Sequence, residues 1–266
     1  MSLVNFAGTV PSGIAGVDLE LVTTDVGDLW FPLIDEVMRD HVRSAGTWEP
    51  EIGEFLRGAF PREGGVFIDI GANVGYFSAL VADAFPSATI HAFEPHPITS
   101  KILRLNTWKH KERVHVWPCA LGDHRGTVAL NTTKNNLGDT RGVDPSDRLV
   151  TSSVAPVATL DEILCDTSAD LIKIDVQGAE LLVMAGMRLL VNRSPGLKIV
   201  LEFSPGLLEM SHVNPVAALA ALREQGFDIG LIHPDGLVLA GDREILSFCQ
   251  SAGPLGQANI VLYSRN

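Results

Sequence analysis

The sequence is poor in basic residues and has no long apolar run. Of its 266 residues only 20 are Lys or Arg, against 32 Asp or Glu, and the formal net charge is −12. Proteins that bind a phosphate backbone usually carry clustered Lys and Arg, and the absence of such a cluster disfavours a nucleic-acid substrate. No segment reaches the roughly 18 apolar residues of a membrane span, and Met1 to Thr9 do not resemble a signal peptide. We therefore expect a cytoplasmic protein without a membrane span.

Cysteine is also scarce. Cys119, Cys165 and Cys249 are odd in number and widely spaced. This pattern fits neither a disulfide framework nor a zinc site, so we expect three reduced thiols.

From residue 66 onward, short β-branched runs alternate with segments of helical periodicity. This alternation is typical of an α/β fold with a mostly parallel sheet and helices on both faces. The predicted strands are Val66–Ile70, Thr89–Phe93, Val114–Trp117, Leu171–Asp175, Leu197–Phe203, Phe227–Ile232 and Asn259–Tyr263. The predicted helices are Gly75–Ala84, Pro97–Lys109, Gly178–Leu190 and Pro215–Gln225.

The N-terminal region precedes this alternation. Leu33–Val42 and Glu51–Phe60 carry apolar residues at helical spacing. We expect residues 1–62 to form an N-terminal helical cap that packs on a catalytic domain of residues 63–266.

Residues 126–157 interrupt the alternation with many Asn, Asp, Thr and Gly residues. They lie between two short alternating pieces, Thr127–Leu130 and Ser152–Val157, and predict a long loop or a β-hairpin insertion. Long loops within compact domains often have a function, so this insertion is a candidate lid over an acceptor.

The strongest motif is a buried strand that runs into a glycine turn and a helix. It reads Asp69-Ile70-Gly71-Ala72-Asn73-Val74-Gly75. Glycines permit left-handed backbone angles and close approach of a ligand, and the following helix presents unpaired N–H groups. A dinucleotide fingerprint, G-x-G-x-x-G, would need glycine where Asn73 and Tyr76 stand. Because S-adenosylmethionine carries a cationic amine and a sulfonium but no phosphate, an acidic residue at this turn favours it over a dinucleotide.

Two further segments complete the predicted donor site. Glu94-Pro95 follows the second strand, where a carboxylate can accept hydrogen bonds from the ribose hydroxyls of an adenosine. After the third strand, Ala120 and Leu121 are small or apolar residues at the expected position of the adenine. Trp48 and Glu49 are expected to help close the donor pocket.

The acceptor is expected beside the fourth and fifth strands, where Asp175, Glu180 and Glu202 form an acidic cluster. Methyl transfer to a hydroxyl needs close positioning and removal of a proton. A carboxylate can take the proton, or a divalent metal such as Mg²⁺ held by Asp175 and Glu202 can acidify the hydroxyl, and both mechanisms stay open. Glu180 can equally serve only to stabilise the dipole of its own helix.

Histidines are rival bases. His96 follows Glu94-Pro95, whereas His212 and His233 lie in loops near strand ends. Each of them is more typical of ordinary polar positions than of catalysis.

Taken together, the motifs resemble the FkbM-type family of class I S-adenosylmethionine-dependent methyltransferases. The matching pieces are Trp48-Glu49-Pro50-Glu51, Asp69 to Gly75, Phe93-Glu94-Pro95, Ala120-Leu121-Gly122, Thr159-Leu160-Asp161 and Leu171 to Glu180. The resemblance implies a Rossmann-like, seven-stranded sheet in the order 3-2-1-4-5-7-6, with the last strand antiparallel. It also implies O-methylation of a small molecule.

Our leading hypothesis is an O-methyltransferase that acts on a hydroxyl of a sugar or saccharide. The alternatives are O- or N-methylation of a polyketide or other secondary metabolite, methylation at carbon, an NAD-linked oxidoreductase, and a binding module without turnover. A homodimer formed through the N-terminal cap is compatible with the sequence, but no pattern demands it.

Overall fold

The computed structural model describes residues 10–14, 16–133, 136–142, 152–233, 236–253 and 255–265. The strands, in chain order, are β1 (Val10–Ile14), β2 (Val17–Thr24), β3 (Gly27–Pro32), β4 (Val66–Ile70), β5 (Thr89–Phe93), β6 (Val114–Trp117), β7 (Ala120–Leu121), β8 (Gly126–Thr133), β9 (Asn136–Gly142), β10 (Ser152–Ala158), β11 (Leu171–Ile174), β12 (Lys198–Phe203), β13 (Phe227–His233), β14 (Gly236–Leu239) and β15 (Ala258–Ser264). The helices are α1 (Glu36–Ala45), α2 (Pro50–Ala59), α3 (Tyr76–Ala84), α4 (Thr99–Asn106), α5 (Leu160–Ile163), α6 (Glu180–Ala185), α7 (Arg188–Asn192), α8 (Pro205–Met210), α9 (Pro215–Glu224) and α10 (Asp242–Ser251).

The central sheet has eight strands in the order β14-β13-β15-β12-β11-β4-β5-β6. Without β14, this order reads 3-2-1-4-5-7-6 for the seven strands of the sequence analysis, and their bounds differ from the predicted ones by at most one residue at an end. Strand β15 runs antiparallel to both of its neighbours. The sequence analysis did not predict β14, a short edge strand whose Leu237, Val238 and Leu239 are exposed. From β4 the sheet continues through β5 and β6 to one edge, and from β11 it continues through β12 towards the other edge. The topological switch point therefore lies between β4 and β11.

Two large apolar clusters pack on the sheet. One contains Ile68, Ile172 and Leu201 from the central strands together with residues of α6, α9 and α10. The other joins Phe67 and Leu80 to Leu29 and Leu56 of the N-terminal region. The N-terminal region therefore shares a continuous core with one face of the sheet, which fixes its place beside the strand ends.

The prediction that the N-terminal cap is purely helical is wrong. A three-stranded antiparallel sheet, β1-β2-β3, precedes α1 and α2. In the sequence of β2, Val17, Leu19 and Leu21 alternate with Asp18 and Glu20, a period that indicates a strand. Helix α1 starts three residues later than predicted, because the Asp35 side chain accepts a hydrogen bond from the Met38 N–H and so caps it.

Two predicted helices are interrupted. The prediction Gly178–Leu190 covers two shorter helices, α6 and α7, separated at Gly186. A Cβ on Gly186 would lie 1.9 Å from the carbonyl oxygen of Gly122, so the backbones meet there and no side chain fits. The prediction Pro97–Lys109 covers α4 and a single 3₁₀ turn, Trp108–His110, and Pro97 lies before the helix rather than in its first turn.

The inserted segment forms a small sheet in the order β7-β10-β8-β9. Strands β8 and β10 pair antiparallel over the two alternating pieces of the sequence analysis, and β9, which follows β8 in the chain, pairs antiparallel with its other edge. The predicted loop residues 134–135 and 143–151 lie outside the described residues. Strand β9 lies against α1, which brings the insertion and the N-terminal region together. In the part of the chain that the structure describes, no helix is long and apolar enough to cross a bilayer.

Candidate active site

A cavity of about 570 Å³ opens at the carboxyl ends of β4, β5, β11 and β12. In open α/β sheets this edge, beside the switch between β4 and β11, is where ligands bind. The N-terminal region contributes Val37, Met38, Trp48 and Glu49 to its wall, and the insertion contributes Val128 and Leu130 among others. The cavity is therefore built by the central sheet and completed by the two segments added to it.

The glycine turn forms one wall. The N–H groups of Gly71 and Ala72 donate to the Phe93 carbonyl at 2.9 and 3.0 Å, which ties the turn to β5. Gly71 has a φ of 78°, and a Cβ there would lie 1.8 Å from the Asp175 carbonyl oxygen. Only glycine fits at a left-handed position in such close backbone contact.

Asn73 and Gly75 complete this turn in different ways. Asn73 lines the cavity with a φ of 50°, and its buried Oδ1 has no hydrogen-bond partner. Gly75, with a φ of 89°, caps α3 and packs against Leu103, away from the cavity wall. A buried oxygen without a hydrogen bond is energetically costly unless a ligand supplies the donor. Asn73 Oδ1 is therefore an acceptor in the turn that no protein group uses.

Glu94 is a buried carboxylate on the cavity wall. Its Oε1 accepts from the His96 N–H and the Thr99 hydroxyl, both at 2.8 Å, and its Oε2 accepts from the Asn73 N–H at 2.9 Å. Burial raises the pKa of Glu94 to about 7, although these three hydrogen bonds favour the ionised form. They also hold the carboxylate in one orientation, with capacity left on Oε2 for a donor from a ligand.

Beyond Glu94, the wall continues through Pro95, Ala120 and Leu121, as the sequence analysis placed them. Phe93 lies here as well, with its ring stacked on that of Trp117. This end of the cavity is flat and mostly apolar.

Asp69 lies beneath the cavity and not on its wall. It is 1% exposed, and its Oδ2 accepts a hydrogen bond of 2.6 Å from Ser78, whereas Oδ1 has no partner. Burial raises the pKa of Asp69, against the opposing effect of the Lys173 ammonium on the neighbouring strand. The sequence placed Asp69 at the ligand, but the structure places it one layer below.

The opposite wall holds a network of charged and amide side chains. The Lys173 ammonium, 3% exposed, is 2.8 Å from Asp175 Oδ2. Gln177 Nε2 donates to Asp175 Oδ1 at 2.9 Å and to Glu202 Oε2 at 2.6 Å, and Gln257 donates to Glu202 Oε1. The structure thus brings Asp175 and Glu202 together, as the sequence predicted.

The two carboxyl groups of this network titrate in opposite directions. Burial opposes ionisation of Asp175, but the Lys173 ammonium and several hydrogen bonds, one with Glu202, hold the pKa of Asp175 below its ordinary value. Burial and the neighbouring Asp175 charge raise the pKa of Glu202 well above its ordinary value. Within the pair, the protonated form is therefore favoured at Glu202 and the ionised form at Asp175.

Glu180 is the first residue of α6 and is near the network, but it does not line the cavity. It is 4% exposed, and its Oε1 accepts from the Gly178 N–H at 3.0 Å. Burial raises its pKa to about 6. These contacts match the alternative reading of Glu180 as a residue that stabilises its own helix terminus.

The donor set does not fit a divalent metal at Asp175 and Glu202. An ammonium and two amide NH₂ groups already face their oxygens, and these groups are hydrogen-bond donors rather than metal ligands. Within the described residues, no group of three or more His, Cys, Asp or Glu side chains is placed to hold a metal.

The sequence analysis missed several wall residues. Lys173, Gln177 and Gln257 belong to the charged network, yet a buried lysine and two glutamines carry no motif of their own. Backbone geometry marks the site more clearly: of the four described non-glycine residues with positive φ, Glu49, Asn73 and Gln177 line the cavity, whereas His212 does not. Such conformations are concentrated at functional sites.

The three histidines weighed as bases are not on the wall. His96 is buried behind Glu94, and its pKa is lowered by burial, while His212 and His233 lie elsewhere. The three cysteines are free thiols, as predicted.

Comparison with known proteins gives a consistent family. The family model described as "Methyltransferase FkbM domain" matches residues 69–229. Over 65 residues the chain is 40% identical to 31-O-demethyl-FK506 methyltransferase FkbM of Streptomyces tacrolimicus, a match that covers 24% of this chain and only 25% of that relative. Over 195 residues it is 28% identical to methyltransferase sdnD of Sordaria araneosa, which covers 61% of this chain and 73% of that protein.

Among solved structures, a putative rRNA-methylase from Clostridium thermocellum has a TM-score of 0.50 at 9% identity. The superposition covers 82% of this chain and 96% of that structure. At this identity the likeness concerns the fold alone.

Proposed function

The chain belongs to the FkbM family of methyltransferases, and from this premise we propose that it transfers a methyl group from S-adenosylmethionine to a hydroxyl of a small molecule. The observation that carries the proposal is one cavity with two unlike walls. A glycine turn with Glu94 forms the first wall, and the Lys173, Asp175 and Glu202 network forms the second.

The first wall suits the donor. Glu94 can accept a hydrogen bond from the ribose, and Phe93, Ala120 and Leu121 offer apolar surface to the adenine. The unpaired Oδ1 of Asn73 is available to the ammonium group of the donor. S-adenosylmethionine supplies a methyl group on a cationic sulfonium. Asp69 acts indirectly in this proposal, because it lies beneath the turn and accepts a hydrogen bond from Ser78 without touching the ligand.

The second wall suits the acceptor. Asp175 and Glu202 are held rigidly, so they can orient a hydroxyl without rearranging when it arrives. Glu180 supports the start of α6 from behind. Lys173 offsets the charge of Asp175 and favours its ionised form.

For the acceptor we retain a sugar or saccharide hydroxyl as the leading substrate class. A hydroxyl on a polyketide or other secondary metabolite is the second candidate, favoured by two observations. The mouth carries apolar side chains, Val37, Val128 and Leu182, and the name of the Streptomyces relative refers to an O-demethylated FK506. In both cases the inserted sheet would cover the acceptor, since its residues line the mouth.

The first test is calorimetric titration with S-adenosylhomocysteine and, separately, with NAD. We expect binding of S-adenosylhomocysteine alone, and binding of NAD alone would overturn the proposal. Donor labelled with tritium in the methyl group would then be incubated with saccharides and with hydroxylated macrolides. Label in a base-stable ether product supports O-methylation; label on nitrogen or carbon, or binding without any product across the panel, would contradict it.

A further inference from the structure

Glu49 comes from outside the segment matched by the family model and has an unusual backbone. It precedes α2 with φ 43° and ψ 64°, in the left-handed region, and its side chain makes no capping hydrogen bond to its own helix. The next residue is Pro50, which restricts the backbone of the residue before it. Non-glycine residues seldom adopt this conformation, so the neighbours of Glu49 must hold it there.

This conformation places Glu49 on the cavity wall. The groups that face it are Lys173 on β11, Asp175 directly after β11, Glu202 on β12, and Glu51 on its own helix. A hydrogen bond from Trp48 is the side-chain contact that stabilises its charge. Burial is the main cause that raises the pKa of Glu49 to about 7, and Lys173 opposes that rise.

The other carboxylates of the cavity are already engaged. Asp175 accepts from Lys173 and Gln177, and Glu202 accepts from Gln177 and Gln257. Glu94 accepts three hydrogen bonds at the donor end, and Asp123 is bound to His124 at the exposed mouth. A base needs a free lone pair beside the reacting group, and Glu49, with the one side-chain hydrogen bond from Trp48, retains more acceptor capacity than Glu94, Asp175 or Glu202.

We propose that Glu49 is the general base that takes the proton of the acceptor hydroxyl, an inference that rests on the proposed function. The hydroxyl proton passes to a Glu49 oxygen, and the acceptor oxygen forms its bond to the methyl carbon. The electron pair of the broken carbon–sulfur bond stays on sulfur. Asp175 and Lys173 then act as positioning groups that hold the network fixed.

The central experiment compares Glu49→Gln with Glu54→Gln, a matched loss of charge at an exposed position of α2 that is not on the cavity wall. We expect Glu49→Gln to lower kcat about 100-fold or more, which is the range of general-base catalysis. Its affinity for S-adenosylhomocysteine should stay within about twofold of the native value, since the base does not hold the donor. Glu54→Gln should change neither quantity.

The dependence of kcat/KM on pH tests whether Glu49 must be deprotonated for turnover. A base must be deprotonated, so kcat/KM of the native enzyme should fall below about pH 7, and this limb should be absent in Glu49→Gln. Retained turnover in Glu49→Gln would overturn the proposal. So would a tenfold loss of S-adenosylhomocysteine affinity, because Glu49 would then be a donor-binding residue. If Glu49→Gln does not fold, Glu49→Asp keeps the carboxylate and should retain a reduced rate with the same acid limb; a normal or absent rate in this folded variant would contradict the assignment.

A second readout does not depend on the acceptor. In protein labelled with ¹³C at the glutamate carboxyls, the resonance that disappears in Glu49→Gln should titrate near pH 7, with and without S-adenosylhomocysteine. Titration near pH 4 would overturn the assignment of the base even if methyl transfer is observed. Failure of the proposed function would instead show as no product from the native enzyme with any acceptor, and would leave this titration unchanged.

Discussion

On the β4–β5 side of the cavity, the ligand would meet a backbone turn, one fixed carboxylate and an unpaired amide oxygen. On the β11–β12 side, it would meet buried charged side chains that pair with each other. The first wall depends on shape, because a single added Cβ at Gly71 would collide with β11. The second depends on charge balance, because removal of one cation leaves several carboxylates without compensation. We therefore expect substitutions in the first wall to act through steric clash, and substitutions in the second wall to act through loss of charge compensation.

The largest effect is expected from Lys173→Met. Asp69 and Asp175 would lose their buried cation, which typically costs about 3–5 kcal/mol in the free energy of unfolding. Urea denaturation at pH 7 measures this loss, with the exposed Lys101→Met as the control. If Lys173→Met left the free energy of unfolding unchanged, charge compensation by Lys173 would not be what stabilises the second wall.

Gly71→Ala should break the first wall. The new Cβ would meet the Asp175 carbonyl at 1.8 Å from a left-handed position, and we expect a loss of about 3 kcal/mol together with loss of S-adenosylhomocysteine binding. Thermal unfolding and calorimetry measure the two effects. Gly58→Ala, in α2 with open space around it, should instead stabilise the protein by about 0.5–1 kcal/mol. If both variants behaved alike, the steric argument would be wrong.

Glu94→Gln should reveal a pH dependence on the donor side. The pKa of Glu94 is raised to about 7 in the folded protein, so the folded state holds its proton more tightly than the unfolded state does. This contribution to stability is complete at low pH and is lost as the pH rises from the ordinary glutamate value towards 7. Between pH 5 and 7 the native protein should lose about 2 kcal/mol that Glu94→Gln does not lose. Urea titrations at both pH values test this, with the exposed Glu112→Gln as the comparison; identical slopes for the native protein and Glu94→Gln would contradict it.

The smallest effect is expected from Asn73→Gly. Glycine accepts the left-handed angle and removes the unpaired Oδ1, so stability should rise by about 1 kcal/mol. Affinity for S-adenosylhomocysteine should fall, because the amide oxygen is proposed to meet its ammonium group. A stabilised variant with unchanged affinity would show that the turn alone, without the Asn73 side chain, serves the donor.

The same contrast explains what could be predicted from the sequence. The glycine turn and Glu94 occupy short, contiguous motifs, so both the strands and the wall residues were found. The second wall combines residues 49, 173–177, 202 and 257, which lie far apart in the sequence. No local pattern predicts the hydrogen bond from Gln257 to Glu202. The motif Leu171 to Glu180 contains both Lys173 and Asp175, and Glu202 was predicted from its strand end, but the sequence analysis gave the lysine no role.

Errors in the fold have equally specific causes. The break between α6 and α7 depends on the contact between Gly186 and Gly122, which is invisible in a helical pattern. The N-terminal sheet was missed because only the helical spacing of residues 33–42 and 51–60 was considered in this region, although Val17, Leu19 and Leu21 alternate with acidic residues. Asp69 was placed at the ligand because its position in the motif was read without the direction of its side chain, which points below the turn to Ser78.

The junction of β4 with β11 also has a kinetic consequence. Strand β4 pairs with β5 about 20 residues further along, but Ile68 pairs with Ile172 more than 100 residues away. Closing the longer loop costs more chain entropy, and distant pairings form more slowly than local ones. On a ribosome, the βαβ unit of β4, α3 and β5 can assemble before residue 171 is synthesised. We therefore expect an order of maturation in which the turn for the donor forms first and the charged wall forms last.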